Sequence, residues 1–257
     1  MVQTVDYDSA IRAPDQLQVD GRFLEDAVPG YRQLAVFGRH LVGQEVTLVD
    51  IPARNGAWLE AVRTGVVEYE IQFAIKFSTT QQLQAAFNKL NKLLRGNRSD
   101  DLITVSFKDI PSYSNQALLK GVSEKEQTDC IYTGSFSLIF PNPSWKKSPQ
   151  SSTGTISLTD AFEVLPSKIE ATVSSNASEL EVRTPRSRMK FIGHYTAGKR
   201  LVVEWLTDEI KVTYDGRSIL SELAHLSVPE DFYLRNGDTV TGQNLTITRV
   251  EWRDERL

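Results

Sequence analysis

The chain has 257 residues, of which 40% are hydrophobic and 24% charged, and its formal net charge is −4. These proportions are typical of a folded protein and exclude an intrinsically disordered one. The acidic balance argues against a dedicated nucleic-acid binder, because such a protein needs a basic face to neutralise phosphates. The single cysteine, Cys130, excludes an internal disulfide and a cysteine-rich metal site.

The first eleven residues contain acidic side chains and lack an apolar core, so we expect no signal peptide. The sequence nowhere approaches the roughly 18 consecutive apolar residues of a membrane span. We therefore expect a soluble protein that is made in a cytoplasm and has no membrane partner.

Short strands are predicted at 34–37 and 45–49, ahead of an Asn55-Gly56 pair. Asn-Gly is a strong signal for a two-residue hairpin turn, because both central residues of that turn need a positive φ. Trp58 lies beside this turn. It is predicted either to pack locally or to contact a partner, since tryptophan is enriched among interface anchors.

Hydrophobic and polar residues alternate from Val67 to Phe77, which predicts a strand with one buried face. An amphipathic helix follows, capped at its start by Thr79 or Thr80 and ended by Gly96. We expect its apolar stripe to pack on the sheet.

Further strands are predicted at 103–107, 115–122 and 130–140, with Cys130 as a small buried side chain. Residues 140–155 contain three prolines and several serines and threonines, which is typical of a linker. The predicted domains are therefore residues 1–143 and residues 144–257.

The second half is predicted to be almost entirely β, with short strands at a spacing typical of a β-sandwich. Asp215-Gly216 is a second hairpin-turn signal, and residues 220–226 are expected to form one or two helical turns. The predicted strands are 169–173, 179–183, 189–195, 200–206, 209–214, 232–234 and 245–252.

Known catalytic and nucleotide-binding motifs are absent from the sequence, and its three histidines form no metal-binding spacing. We therefore predict that the protein is not an enzyme and that it has no catalytic residue, no cofactor and no metal.

Six segments occur in a characteristic order: Arg54-Asn55-Gly56, Leu83-x-x-Ala86-Phe87-x-x-Leu90-x-x-Leu93-Leu94, Asp109-x-Pro111, Phe136-x-Leu138-x-Phe140-x-Asn142-Pro143, Tyr214-Asp215-Gly216 and Phe232-Tyr233-Leu234-x-x-Gly237. With these segments, the order of the predicted elements resembles the distal tail proteins of siphoviruses, the long-tailed bacteriophages. The resemblance covers nearly the whole chain, and its motifs are loose, so that its strength lies in their order and spacing. The sequence departs from the family pattern at Asn142, where an aspartate is usual, and at Ser144, where a tyrosine is usual.

This resemblance implies a mainly β fold. The N-terminal domain would be β-sandwich-like, with one amphipathic helix and a projecting β-arm, and the C-terminal domain would be a galectin-like β-sandwich. It implies a virion protein of the tail tip that forms a homo-hexameric ring, or two stacked rings, and takes part in host attachment. The ring would join the major tail (tube) protein to tail-associated fibre, receptor-binding and baseplate proteins.

DNA would pass through such a ring without specific binding, and six copies at −4 each suit a lumen that does not hold DNA. A closed ring needs two different contact patches on each subunit. Our candidates for one oligomer or partner interface are Arg54, Asn55, Gly56 and Trp58.

The main alternative is a carbohydrate-binding module that recognises a host cell-wall glycan, since galectin-like sandwiches bind sugars. Trp205 could stack on a sugar ring. However, the nearest polar stretch, His194-Tyr195-Thr196-Ala197-Gly198, lacks the asparagine and arginine of a galectin site. A cell-wall hydrolase is a third alternative, without a catalytic constellation to support it.

Overall fold

The computed structural model describes residues 12–39, 42–52, 55–95, 102–128, 130–153, 155–206 and 209–257. Over these ranges the chain is mainly antiparallel strand, with a single long helix. It divides into two compact units, the first ending at Trp145 and the second comprising Lys146–Arg256. Each unit has its own hydrophobic core.

The first unit contains most of the long strands and both α-helices of the described chain. Its elements are β1 (Leu17–Val19), β2 (Arg22–Phe23), α1 (Leu24–Ala27), β3 (Tyr31–Phe37), β4 (Gln44–Asp50), β5 (Ala57–Thr64), β6 (Val67–Lys76), α2 (Thr80–Arg95), β7 (Ile103–Phe107), β8 (Tyr113–Thr128) and β9 (Ile131–Phe140).

Seven of these strands form one path in the order β2-β1-β7-β8-β9-β6-β3. The long strand β8 takes part in two layers, because its first part pairs with β7 and its remainder, from Leu118 onward, pairs with β9. Strands that switch between sheets in this way form the corners of sandwich-like folds. The predicted N-terminal architecture, a sandwich-like β domain with one amphipathic helix, is confirmed.

The predicted alternation of β6 and the predicted stripe of α2 are both confirmed. The odd-numbered residues of β6 face the core, and α2 buries Leu83, Ala86, Leu90 and Leu94. Thr79 caps the helix, since its hydroxyl accepts a hydrogen bond from the backbone N–H of Gln82 at 3.3 Å. Gly96, the predicted end signal, lies outside the described residues.

A buried side chain, Gln33, connects the end strand β3 to β1, the strand next to the other end of the path. Its Oε1 accepts a hydrogen bond from the backbone N–H of Leu17 in β1 at 2.8 Å, and its Nε2 donates to the carbonyl oxygen of Asp15 at 2.8 Å. Gln33 thus supplies to β1 an acceptor that a neighbouring strand would otherwise provide. The sequence pattern did not indicate this contact.

The second unit is a β domain that consists of many short strands. Its elements are β10 (Trp145–Lys147, whose first residue belongs to the first unit), β11 (Gln150–Ser152), β12 (Glu163–Val164), β13 (Pro166–Val173), β14 (Ala177–Arg183), β15 (Arg188–Tyr195), β16 (Arg200–Trp205), β17 (Ile210–Tyr214), β18 (Arg217–Ser218), β19 (Leu234–Arg235), β20 (Thr241–Gln243), β21 (Leu245–Trp252) and β22 (Glu255–Arg256), with 3-10 turns at Leu220–Glu222 and Pro229–Asp231.

Two sheets of this unit share one hydrophobic core. The larger has six strands in the order β11-β21-β13-β16-β17-β18, and the smaller has three in the order β15-β14-β20. The final long strand, β21, pairs with β11 and β13 and therefore belongs to this unit. Asp215 and Gly216 both have positive φ, 48° and 82°, so the hairpin turn predicted between β17 and β18 is confirmed.

Two predictions for the middle of the chain are wrong. Cys130 is exposed rather than buried, because it lies in the turn between β8 and β9 and not within a strand. The predicted linker contains two short strands, β10 and β11, and its Trp145 is only 3% exposed. The Trp145 indole N–H donates to the hydroxyl of Tyr69 at 3.2 Å, and the ring contacts Phe107 and Phe140.

Candidate interaction surface

Strands β4 and β5 form a two-stranded antiparallel hairpin, which we call the arm. The arm is inserted between β3 and β6, which are themselves hydrogen-bonded neighbours. In the described chain the arm is a sheet of its own, paired with no other strand. All residues of both strands are exposed except Thr64, so the arm projects away from the core of its own unit.

One face of the arm is aliphatic. The register places Val46 opposite Val62 and Leu48 opposite Leu59, and directly opposed residues share a face of the sheet. These four side chains are 52%, 46%, 58% and 54% exposed, respectively. Apolar residues scattered singly over a surface are normal, but these four form two cross-strand pairs on one face. A contiguous exposed apolar surface of this kind marks an interaction site.

The opposite face carries Trp58 paired with Val49, next to the tip of the arm. Trp58 is 69% exposed. Toward the base of the same face, the Arg63 Nε donates to a carboxylate oxygen of Glu45 at 2.6 Å, and both side chains are well exposed. The two faces therefore differ in chemistry. The first is aliphatic in its middle, with Asp50 opposite Ala57 at its distal end, and the second combines an aromatic side chain with an ion pair.

The base of the arm is fixed to its unit by Gly38 and Arg39. Gly38 has φ +83°, and a Cβ at this position would lie 2.4 Å from the carbonyl oxygen of Glu68, so only glycine fits. The Arg39 side chain is 8% exposed, donates to Asp109 at 2.7 Å and places its guanidinium 4.0 Å from the centre of the Phe107 ring. Since these contacts join residues far apart in sequence, the sequence alone did not indicate them.

Of the four predicted site residues, the structure places three at the distal end of the arm. Asn55 and Gly56 lie exposed at the tip and Trp58 lies in β5, whereas Arg54 lies outside the described residues. The hairpin predicted from Asn55-Gly56 is confirmed, but its turn is not a two-residue turn, because the connection between β4 and β5 runs from Ile51 to Gly56. Gly56 does have a positive φ, 97°. The aliphatic face was missed, although the alternation of Val46 and Leu48 with polar residues could have indicated it.

A second candidate contact surface of the first unit, with a mixed polar and apolar lining, lies between the C-terminal end of α2 and β8. It is a groove of about 670 Å³, and we call it the α2–β8 groove. Arg95 and Lys120 contribute positive charge to its lining, and Lys120 also pairs with Glu68 at 2.5 Å. The apolar lining residues are Leu94, Leu118, Leu119, Val122 and Ile139.

The residues considered for sugar binding in the second unit have structural contacts instead. The indole N–H of Trp205 donates to the carbonyl oxygen of Pro229 at 2.9 Å, and its ring packs against Phe232. The buried Tyr195 donates its hydroxyl proton to Glu222 at 2.8 Å; burial and this hydrogen bond raise the pKa of Tyr195 above its ordinary range. The described side chains of this region therefore form no aromatic platform with free polar partners.

The most deeply buried carboxylate, Asp254, is also fully occupied by protein donors. It accepts hydrogen bonds from the Thr159 hydroxyl and backbone N–H at 2.6 and 2.9 Å, from the Ala161 N–H at 3.0 Å and from the Lys147 ammonium at 3.0 Å. Burial alone would raise the pKa of Asp254, but these donors hold it well below its usual range. Asp254 is therefore an ionised structural group and is not poised to transfer a proton.

Within the described residues, no group of three or more histidine, cysteine, aspartate or glutamate side chains is placed to hold a metal ion. The same part of the chain contains no helix that is long and apolar enough to cross a membrane.

Among solved structures, the chain is similar to the Dit protein of phage SPP1, described as a paradigm of the hub adsorption apparatus in phages that infect Gram-positive bacteria. The alignment has a TM-score of 0.73 at 17% sequence identity and covers 95% of this chain and 99% of SPP1 Dit. This chain has the fold of SPP1 Dit. The predicted resemblance to distal tail proteins is thus confirmed at the level of the fold.

Two structures of the phage p2 baseplate in its activated conformation align more weakly, with TM-scores of 0.43 and 0.44 at 8% identity. These alignments cover 89% and 95% of this chain. No protein-family model matches the sequence, and no curated protein matches it in sequence.

Proposed function

We propose that this protein is a structural hub of a siphovirus tail tip, and that it acts as a scaffold rather than an enzyme. The observation that carries the proposal is the fold, which is shared with a phage hub protein along almost the full length of both chains. Fold alone does not assign function. The exposed arm supplies independent support, because a subunit that works by assembly needs apolar surface outside its own core.

In this proposal six copies form a ring, singly or as two stacked rings, with a central channel for DNA. A cyclic ring is built from heterologous contacts, so each subunit must present two different, complementary patches. The arm is our candidate for the first patch, including Asn55, Gly56 and Trp58 from the sequence-based prediction together with Arg54. The α2–β8 groove is our candidate for the second patch.

Charge supports this pairing of arm and groove. The distal half of the arm carries the carboxylates of Asp50 and Glu60, whereas the groove lining includes Arg95 and Lys120. Electrostatic complementarity of this kind steers association and fixes the register of two surfaces. The aliphatic residues of the arm, packed against the apolar side chains of the groove, would supply the hydrophobic part of the contact.

The ring would lie at the tail tip of the virion, after synthesis in the cytoplasm of the bacterial host. It would join the tail tube to fibre, receptor-binding and baseplate proteins. The net charge of −4 per copy suits a channel that lets DNA pass, because few phosphate counterions would be released by contact with an acidic wall. We further propose residues 1–143 as the ring-forming domain and residues 144–257 as a galectin-like domain.

Negative-stain electron microscopy of the purified protein tests this proposal. We expect six-fold rings with an open centre, seen singly or in stacked pairs. Particles of single-chain size at every concentration would contradict self-assembly into a hub. Specific glycan capture on an array, by a protein that forms no ring, would instead support the carbohydrate-binding alternative.

A further inference from the structure

The tripeptide Arg-Asn-Gly occurs twice in the sequence, at residues 54–56 and at residues 235–237. Asn55 and Gly56 lie at the tip of the arm, and Asn236 and Gly237 lie in the second unit; all four are exposed. Both glycines have positive φ, 97° and 84°, and a Cβ on either would meet no atom within 4 Å. Sequence, exposure and glycine conformation therefore do not distinguish the two copies.

Hydrogen bonds hold the copy in the second unit. The Asn236 Oδ1 accepts from the backbone N–H of Leu158 at 3.1 Å, and the Gly237 N–H donates to the carbonyl oxygen of Ile156 at 2.9 Å. The Ile156 N–H in turn donates to the carbonyl oxygen of Asp238 at 2.8 Å. The side chain of this asparagine and the backbone nitrogen that follows it are thus both fixed.

The same two groups are free at the tip of the arm. Within the described residues, no hydrogen bond or ion pair involves Asn55 or Gly56. Both belong to the connection between β4 and β5, whose neighbouring strand residues are exposed as well. Loop tips of this kind have few contacts that restrain their backbone.

We propose that Asn55 is a modification site at which the folded protein loses a side-chain amide without an enzyme, whereas Asn236 stays intact. This inference goes beyond the proposed function and does not depend on assembly, because the reaction takes place within one chain.

The reaction has two steps, and water is its only co-reactant. The backbone nitrogen of Gly56 loses its proton and bonds to Cγ of Asn55, the bond from Cγ to the side-chain nitrogen breaks, and ammonia leaves with that proton. The product is a five-membered succinimide ring. Water then opens the ring at either of its two carbonyl carbons, which gives aspartate or isoaspartate.

The hydrogen bonds of the second copy oppose the first step. Ring closure requires a glycine nitrogen that can lose its proton and a Cγ that can turn toward it. An N–H that donates to a carbonyl keeps its proton, and a side-chain oxygen that accepts a hydrogen bond fixes Cγ, so Asn236 reacts only after local opening. Opening breaks two hydrogen bonds, which corresponds to a slowing of at least about tenfold.

The modification changes the chemistry of the arm tip. Either product replaces a neutral amide with a carboxylate, so the chain carries one negative charge more than its formal −4. The new carboxylate adds to those of Asp50 and Glu60 in the distal half of the arm. Isoaspartate also adds one carbon to the backbone of the loop. A purified sample therefore becomes a mixture of arms that differ in charge and in loop length.

Peptide mapping of the full-length protein follows both sites in one sample. The protein is incubated in mildly alkaline buffer, digested briefly after acidification with a protease that cleaves after lysine, and examined by mass spectrometry. The fragments of interest are residues 1–76, in which Asn55 is the only asparagine, and residues 212–257, which contain Asn236. We expect Asn55 to convert at least about tenfold faster than Asn236 in the folded protein. In urea the two should convert at similar rates, because the tripeptide is the same and its hydrogen bonds are lost.

Asn55→Gln is the matched variant, because glutamine keeps the amide but would have to close a larger ring. We expect it to stop the conversion of residues 1–76 and to leave the rate at Asn236 unchanged. An isoaspartyl methyltransferase with a labelled methyl donor supplies a second measurement. It should label residues 1–76 of the incubated wild type and leave the same fragment of Asn55→Gln unlabelled.

The results that overturn the inference are separate from those that test the hub. Equal rates at the two asparagines of the folded protein would overturn it, as would an Asn55 that stays intact while both sites convert in urea. Equal labelling of wild type and Asn55→Gln would do the same. Each of these results leaves the hub proposal standing, because the mass in solution tests that proposal independently.

Discussion

Replacement of Asp254 by Asn is expected to destabilise the second unit strongly. The Asp254 side chain is fully buried and accepts hydrogen bonds from Thr159, Ala161 and Lys147, and from the backbone N–H of Glu255 at 3.1 Å. Asn keeps one acceptor oxygen but turns an NH₂ group toward these donors and leaves the Lys147 ammonium without its buried counter-charge. Breaking a buried ion pair on one side costs about 3–5 kcal/mol, and we expect about 3 kcal/mol because Lys147 is partly solvated.

Urea unfolding measures this effect, followed by the fluorescence of the two tryptophans of the second unit, Trp205 and Trp252. Asp160→Asn is the matched control, because Asp160 contacts the same Lys147 at 3.5 Å but is 40% exposed. We expect the control to lose less than about 1 kcal/mol. A free energy of unfolding for Asp254→Asn within about 0.5 kcal/mol of wild type would refute the view that Asp254 holds this part of the fold together.

Asp254 also determines the direction in which the stability of the protein changes as the pH falls. The pKa of Asp254 is lowered in the folded protein, so the unfolded chain binds a proton here at a higher pH than the folded chain does. The stabilisation from Asp254 is therefore fully present above the unfolded pKa of about 3.9 and is lost as the pH falls below it. Wild type should lose more stability than Asp254→Asn between pH 6 and pH 3, and parallel losses would contradict this assignment.

Three further variants test the first unit. Gly38→Ala forces a Cβ toward a backbone carbonyl at positive φ, so we expect a loss of about 3 kcal/mol in thermal unfolding, and a neutral effect would be inconsistent with the described base of the arm. Gln33→Ala leaves the buried N–H of Leu17 without its acceptor, so chemical denaturation should report a loss of about 2 kcal/mol, and a loss below 0.5 kcal/mol would exclude this closure of the strand path. In a background without the native cysteine, Leu48→Cys with Val122→Cys should form disulfides between copies if the arm enters the α2–β8 groove, which non-reducing electrophoresis detects. Oligomers without such disulfides would exclude that groove.

The long strand β6 and the helix α2 could be predicted because their buried residues recur with the period of a strand or of a helix. Val67 to Lys76 and the stripe of α2 each bury one face against the same core, so burial leaves a periodic pattern in the sequence. The Asp215-Gly216 turn was predictable for a local reason, since its backbone angles select these residue types.

The arm was only partly predictable. Strand β4 alternates like a half-buried strand, yet all seven of its residues are exposed in the single chain. The pattern indicates that one face is to be covered but does not tell whether the covering surface belongs to the same chain. The prediction of a two-residue turn was wrong because Asn55-Gly56 occurs within a connection of six residues. A local two-residue signal does not determine the length of the loop that contains it.

Contacts between distant residues could not be predicted. Asp254 contacts Thr159, which is 95 positions away in the sequence. Gln33 contacts Leu17 across 16 positions, with β2 and α1 between them. Trp145 shows the same limit, because its prolyl and seryl neighbours have linker composition while its own ring completes an aromatic cluster in the first unit. The amino-acid composition describes a segment only on average, so it does not show that one side chain of the segment, Trp145, is buried.

The mass of the purified protein in solution tests the hub proposal most directly. Multi-angle light scattering over a wide concentration range should give six times the chain mass of 28.9 kDa, or twelve times for stacked rings. A mass that stays at 28.9 kDa at every concentration would contradict a self-assembling hub.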